Sequence, residues 1–157
     1  MGSAERFEVR RATAADAHVV GGLLFDFNTE FESPTPSAEE FARRFAGLLP
    51  RDDVIVLLAE DSEPAGFAYL TLRPTPYGDG PLAQLEELYV RPGLRDRGIG
   101  TDLLTRALAE VADRSAIEMH INVDEVDVDT RRFYERHGFV NIEPGADYRM
   151  LFYIREL

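Results

Sequence analysis

A change of phase in one predicted strand constrains the fold of this chain most. In residues 82–91, Leu82, Leu88 and Val90 share one parity, whereas Leu85 has the other. A regular strand keeps its apolar side chains on one parity, so the change predicts a β-bulge near Glu86-Glu87. The sequence therefore predicts a sheet that contains a bulged strand.

Hydrophobic periodicity along the rest of the chain alternates between strand and helix. Thr13 with Asp16, and Ser37 with Glu40, have the spacing of capping boxes that open helices, and Gly138 is typical of a helix C-terminus. No repeat or linker separates two domains, so we expect one mixed α/β domain over residues 1–157. The predicted strands are 6–11, 54–59, 66–72, 82–91, 116–123, 139–143 and 148–155, and the predicted helices run from 13 to about 27, 37–48, 99–111 and about 129–137.

Two missing residue types exclude several kinds of chemistry. The chain has no cysteine, and all 17 of its basic residues are arginine. Without cysteine there is no disulfide, thiolate nucleophile or iron–sulfur cluster. Without lysine there is no Schiff base and no phosphate-loop lysine.

The net charge of −12 indicates which partners suit the protein. Nucleic acid and anionic membranes would be repelled, so we expect binding to neither. A cationic small molecule or a basic peptide suits an acidic surface better, although such a surface also serves solubility alone. We find no membrane-spanning run or secretory signal, and we expect a cytoplasmic protein.

The segment after the bulged strand has the physical features of an anion site. Gly98 and Gly100 let the backbone approach a ligand closely, and the helix that follows directs unpaired amides at it. Arg95 and Arg97 add positive charge. Gly-x-Gly by itself is a weak motif, and a tight helix start is the alternative interpretation.

Two blocks together resemble the Gcn5-related N-acetyltransferase (GNAT) family. Arg95-x-x-Gly98-x-Gly100 is similar to the family's pyrophosphate loop, and residues 133–139 (Phe-Tyr-Glu-Arg-His-Gly-Phe) are similar to its later block. The later block departs from the family pattern at Asp127, where the family has Asn, and at Thr130, where it has Ala. The resemblance covers residues 85–140. It implies a mostly antiparallel central sheet of six to seven strands, splayed at the bulged strand and flanked by about four helices.

The resemblance also implies acetyl-CoA as co-substrate and no metal. The loop amides would hold the pyrophosphate, and the bulged strand would pair with the pantetheine arm. Asp127 accepts hydrogen bonds but cannot donate them as Asn does. The residues that the resemblance places at the cofactor are Leu88, Tyr89, Val90, Arg95, Asp96, Arg97, Gly98, Ile99, Gly100, Thr101, Asp127, Phe133 and Tyr134.

The reaction that the resemblance implies needs a base and an acid. An alkyl ammonium has a pKa of about 10, so it must lose a proton before it attacks a thioester. We expect Glu87 to accept that proton, with Glu86 as the second choice, and Tyr134 to protonate the departing thiolate. The alternative is that both glutamates are solvated strand residues and that Tyr134 is a half-buried aromatic residue.

The acceptor and the assembly are less constrained. Glu30, Asn122 and Asp124 are candidate acceptor-binding residues, and solvated surface residues are the alternative. The scattered histidines His18, His120 and His137 match no metal spacing. A non-catalytic acyl-CoA-binding module of the same fold is the second functional hypothesis. The apolar segment 150–154 suits either a core strand or the interface of a homodimer.

Overall fold

Two long apolar strands form the antiparallel centre of a five-stranded sheet in the computed structural model, which describes residues 7–157. The strand order is β1-β2-β3-β4-β5, and the pairs from β1 to β4 are antiparallel. The elements are β1 (Glu8–Arg11), α1 (Ala17–Glu30), α2 (Ala38–Leu48), β2 (Val54–Glu60), β3 (Pro64–Arg73), β4 (Leu82–Val90), α3 (Ile99–Asp113), β5 (Glu118–Ile121) and α4 (Val128–Arg136).

The described chain divides into two compact units, one that ends at His120 and one that spans Ile121–Leu157. The first unit holds α1 to α3 and nearly all of the sheet, and the second holds α4 and the C-terminal residues. No helix within residues 7–157 is both long and apolar enough to span a membrane.

The sheet of the first unit is buried on both faces. Val54, Val56 and Leu58 of β2 belong to an apolar cluster with α1 and α2. The alternate residues Ile55 and Leu57 are also fully buried, and α3 contacts the three central strands. Burial on both faces explains why β2 is a continuous apolar run rather than an alternating one.

Local capping fixes where two of the helices begin. The Ser37 hydroxyl accepts a hydrogen bond from the Glu40 amide at 3.1 Å, which starts α2 after a proline-rich turn. The Asp127 carboxylate accepts from the Thr130 amide at 3.4 Å, which starts α4. Gly138, with a φ of +90°, follows the end of α4 in the left-handed conformation that glycine adopts easily.

The predicted bulge is confirmed. Tyr69 of β3 lies opposite Glu87 and its neighbour Leu70 lies opposite Leu85, so Glu86 is the extra residue of β4. Side chains of paired residues share one face, and the extra residue therefore returns Leu88 to the face of Leu85. This is the phase change that the sequence shows.

Two predictions about the sheet are wrong. The sheet has five strands, not six to seven, because the described residues 139–157 contain no strand where 139–143 and 148–155 were expected. Period-two alternation indicates that a segment suits a strand. It does not show which neighbouring strand the segment would pair with. In addition, β5 is shorter than the expected strand 116–123.

Arg10 joins three parts of the first unit. Its guanidinium donates to both carboxylate oxygens of Asp16, at 2.8 and 2.9 Å, and to Glu60 of β2 at 2.5 Å. Hydrogen bonds from Arg10 lower the pKa of Asp16 to about 2, below its ordinary value of 3.8. The ion pair therefore stabilises the fold at neutral pH and is lost on acidification.

We predict that Asp16→Asn lowers the melting temperature at neutral pH and that the difference shrinks as the pH falls from about 4 to about 2. The carboxylate of Asp16 stabilises the folded chain above its unfolded pKa, and this contribution disappears as the pH falls through the folded pKa. Thermal unfolding followed by circular dichroism at several pH values measures it. Asp61→Asn removes the same charge from an exposed turn residue and is the control. The prediction would be contradicted if the difference in melting temperature between the wild type and Asp16→Asn were as large at pH 2 as at neutral pH.

Candidate active site

The loop between β4 and α3 contains two residues with left-handed backbone conformations. Asp96 and Gly98 have φ values of +62° and +81°, and α3 begins directly after them. Alternation of left- and right-handed residues turns successive amides toward one side, and the first amides of a helix have no acceptor within the helix. A Cβ built at Gly98 would meet nothing within 4 Å. The loop therefore has an open face lined by amide donors, which suits an anion.

Arg95 ties the start of this loop to α1. Its Nε donates to the Val90 carbonyl at 3.0 Å and its Nη2 to the Glu30 carboxylate at 2.6 Å. The guanidinium also lies 5.9 Å from the centre of the Tyr89 ring. Glu30, a candidate acceptor-binding residue, is thus ion-paired to an arginine of the loop, a partnership that the sequence does not reveal.

Arg91 makes a parallel connection one helical turn earlier on α1. Its Nη1 donates to the Asp26 carboxylate at 2.8 Å and its Nε to the Pro64 carbonyl at 3.0 Å. Arg91 and Arg95 therefore each join a carboxylate of α1 to a backbone carbonyl of the sheet.

The bulge places Glu87 on the face of β4 that α1 and α2 cover. Glu87 lies opposite Tyr69, and Tyr89 follows it on the same face. The neighbouring carboxylate of Glu86 accepts a hydrogen bond from the Thr71 hydroxyl at 2.7 Å. Burial, and secondarily the charge of Glu86, raises the pKa of Glu87 to about 7 from an ordinary 4.5. Glu87 can thus exchange a proton near neutral pH.

Tyr69 belongs to this site although sequence reasoning missed it. Its ring packs edge-on against Phe45 of α2, with centroids 5.5 Å apart. Burial and the nearby carboxylates raise the pKa of the phenol, so it remains protonated at neutral pH. The register of the β3–β4 pair is the signal that would have found it, because that register places Tyr69 beside Glu87.

The remaining predicted residues fall into three places. The first group lies at the end of β4 and comprises Leu88, Tyr89 and Val90. The second group lies in the glycine loop and the first turn of α3. In the second unit, Asn122 and Asp124 are exposed, and the Asp127 carboxylate caps α4. The loop and first-turn residues are Arg95, Asp96, Arg97, Gly98, Ile99, Gly100 and Thr101.

Tyr134 of α4 is buried, with 8% of its surface exposed. Its ring packs edge-on against Phe133 and Phe139, with centroids 5.2 and 5.5 Å away. The Phe139 amide also donates to the Tyr134 carbonyl at 3.1 Å. The block that resembles the family motif thus forms a local aromatic cluster around Tyr134.

Two of the three histidines make local contacts. A ring nitrogen of His120 lies 2.9 Å from the Glu118 carboxylate, and Nδ1 of His137 lies 2.7 Å from the Phe133 carbonyl. His18 is exposed on α1. Within residues 7–157, no three histidine or carboxylate side chains are grouped as metal ligands.

Comparison with known proteins gives the family. Residues 20–139 match the model of the acetyltransferase (GNAT) family, which is most of the chain. An uncharacterized N-acetyltransferase of Mycobacterium tuberculosis is 31% identical over 97 residues, or 61% of this chain. The matched region covers 59% of that relative's length. The chain belongs to the GNAT acetyltransferase family.

Solved structures share the fold. A crystal structure assigned as an acetyltransferase from Arthrobacter sp. FB24 is 48% identical, covers both chains completely and superimposes with a TM-score of 0.91. The aminoglycoside N-acetyltransferase AAC(6')-Iy, solved in complex with CoA, is 18% identical with a TM-score of 0.80, and the match covers 100% of this chain and 99% of that one. These matches show that the chain shares its fold with both proteins.

We predict that Glu87→Gln raises the melting temperature by several degrees at about pH 9 and leaves it unchanged at about pH 4. The folded pKa of Glu87 lies above the unfolded one, so its protonated form stabilises the fold below pH 4.5. That contribution is lost as the pH rises through about 7, and glutamine keeps a neutral group at every pH. Thermal unfolding across this range measures the difference. Glu63→Gln, in an exposed turn, is the control, and equal gains for both variants would refute the prediction.

Proposed function

We propose that the protein is an acetyl-CoA-dependent N-acetyltransferase that acetylates a primary amine on a small cationic molecule or a basic peptide. One observation carries the proposal. A partly buried carboxylate, Glu87, has a pKa of about 7 and lies on the strand that leads directly into the glycine loop. The family supports acetyl transfer, and the acidic chain supports a cationic acceptor.

The loop residues fit the cofactor that the family uses. The open face at Gly98 has room for an anion, and the amides at the start of α3 are donors for a pyrophosphate. We propose that Arg95 to Thr101 hold the pyrophosphate and that the backbone of Leu88, Tyr89 and Val90 pairs with the pantetheine arm. Asp127 and Phe133 complete the proposed cofactor contacts. The proposal involves no metal.

Acetyl-CoA, when bound, supplies the thioester carbonyl. Glu87 accepts the proton of the acceptor ammonium, because its carboxylate is a base matched to neutral pH. The amine nitrogen then forms a bond to the carbonyl carbon and the carbon–sulfur bond breaks. We assign Tyr134 to give its phenolic proton to the departing thiolate. The new amide nitrogen releases its second proton, which restores the phenol.

The side chains that we propose to bind the acceptor amine are two carboxylates and one amide. Glu30 is a candidate, although an ammonium group must compete there with Arg95, which is 2.6 Å away. Asn122 and Asp124 are the further candidates, and both side chains are exposed. A cytoplasmic homodimer of a single 157-residue domain is the form that we propose for the protein.

We predict that the protein releases free thiol from acetyl-CoA in the presence of one class of amine and that Glu87→Gln lowers kcat roughly 100-fold. The chain has no cysteine, so a thiol reagent reports the product without background. The panel contains polyamines, aminoglycosides, amino acids and basic peptides. For the wild type, kcat/KM should rise with pH and level off above about 7, as Glu87 loses its proton.

Glu86→Gln is the matched control for this assay. It removes the charge that helps to raise the pKa of Glu87, so the pH profile should move to lower pH while turnover persists. Binding of acetyl-CoA without turnover of any amine would favour the acyl-CoA-binding module instead. A pH profile that Glu86→Gln does not move would contradict the role of Glu87 as base.

We predict that Gly98→Glu weakens coenzyme A binding at least roughly 100-fold in calorimetry. A carboxylate there fills the open face of the loop and repels the pyrophosphate. The control is Gly145→Glu, since Gly145 has a similar φ of +85° and an equally empty Cβ position. Both variants carry the same backbone strain of about 1 kcal/mol. A loss of coenzyme A affinity in Gly98→Glu but not in Gly145→Glu supports the cofactor assignment. Equal coenzyme A affinities of the two variants would refute it.

A further inference from the structure

The bulge in β4 places two consecutive carboxylates on one face of the sheet. Gln84 lies opposite Thr71 of β3, and Glu86 follows Gln84 by two residues, so Glu86 shares their face. Glu87 lies opposite Tyr69, which is two residues from Thr71 and therefore also on that face. In a regular strand, consecutive side chains point to opposite faces, and two adjacent acids stay apart. Here the extra residue brings Glu86 and Glu87 together.

The Glu86 carboxylate is tied to the neighbouring strand. It accepts a hydrogen bond from the Thr71 hydroxyl at 2.7 Å, although Glu86 is an exposed residue. A free glutamate side chain at the surface moves among many rotamers, and a hydrogen bond to β3 limits where its carboxylate can lie. The half-buried Glu87 is the next residue of β4. The bond from Thr71 therefore keeps the Glu86 carboxylate on the face that Glu87 occupies.

Most of the side chains that cover this face are apolar, and most of the charged groups around it are ion-paired. The cluster that α1 and α2 form with the sheet consists of apolar and aromatic side chains. Burial, and then the charge of Glu86, raises the pKa of Glu87. The position of the Glu86 carboxylate therefore matters for the protonation of Glu87. The titratable groups on the elements around Glu87 include Tyr69 and Arg73 of β3, Asp26 and Glu30 of α1 with Arg91 and Arg95, Glu40 with Arg44 of α2, Arg51 with Asp53 before β2, and Glu118 with His120 on β5.

We propose that Thr71 is a positioning residue for the candidate base: its hydroxyl holds the Glu86 carboxylate beside Glu87 and so sets the pH at which Glu87 gives up its proton. Without the hydroxyl, the Glu86 carboxylate moves out into water, which screens its charge. A weaker negative charge beside Glu87 opposes ionisation less, so Glu87 then loses its proton at lower pH. The inference rests on the proposed function, in which Glu87 is the base, but its test needs neither substrate nor turnover.

The test is a pH titration of Glu87 in the whole protein, followed by carbon NMR of the glutamate carboxyl groups. The signal of Glu87 is the one that disappears in Glu87→Gln. Thr71→Val removes the hydroxyl and keeps the branched shape, and it should lower the titration midpoint of Glu87 by roughly a few tenths of a pH unit. Glu86→Gln removes the charge altogether and should lower the midpoint further. Thr71→Ser keeps the hydroxyl and should retain the wild-type midpoint.

Two further variants separate this role from a general effect on the fold. Thr71→Val combined with Glu86→Gln should have the midpoint of Glu86→Gln alone, because Thr71 acts through Glu86. Thr105→Val makes the same chemical change at an exposed residue of α3 and should have the wild-type midpoint. Circular dichroism shows whether each variant is folded.

The outcomes distinguish this inference from the proposed function. A midpoint in Thr71→Val equal to that of the wild type would overturn the role of Thr71. So would a midpoint in Thr71→Ser that falls as far as in Thr71→Val, or a double variant that shifts beyond Glu86→Gln. None of these results contradicts acetylation that depends on Glu87. The expected shifts, in a protein that acetylates no amine, would support the role of Thr71 and contradict the proposed function instead.

Discussion

The β-bulge at Glu86 determines the arrangement of the whole candidate site. Without the extra residue, Glu87 would lie on the face of β4 that packs against α3. With it, Glu87 shares a face with Tyr69 and Tyr89 beneath α1 and α2. Burial at this position, and secondarily the charge of the adjacent Glu86, opposes ionisation of Glu87. One inserted residue thus sets both the position of the carboxylate and its pKa.

Arginine makes the second set of connections because its guanidinium can bond in several directions at once. Arg10, Arg91 and Arg95 each use Nε and a terminal nitrogen on different acceptors, and thereby join elements that are distant in sequence. Lysine, a point charge on a flexible stem, would not fix these geometries. In this chain, Arg91 and Arg95 thus connect α1 to the sheet beside the loop after β4.

The sequence predicts what depends on local patterns and misses what depends on long-range pairing. The bulge, the helix starts and the glycine loop each follow from a parity, a cap or a backbone preference within a few residues. The ion pair of Glu30 with Arg95 joins residues 65 positions apart, and the position of Tyr69 beside Glu87 depends on strand register. The expected strands in residues 139–157 had the right pattern but no partner among the described residues.

Charge acts at two distances in this molecule. Beyond the screening length of about 8 Å, a ligand meets an acidic chain, which favours the approach of cations and slows that of anions. In the proposed cofactor site, the backbone amides of the loop after β4 offset that field over a few ångströms. An anion held there would be bound by short-range hydrogen bonds against an unfavourable overall field. A cationic ligand gains from the overall field before it makes any contact. The function that we propose brings together two ligands of opposite charge, and in this chain a long-range field favours the cation while a short-range loop is proposed to hold the anion.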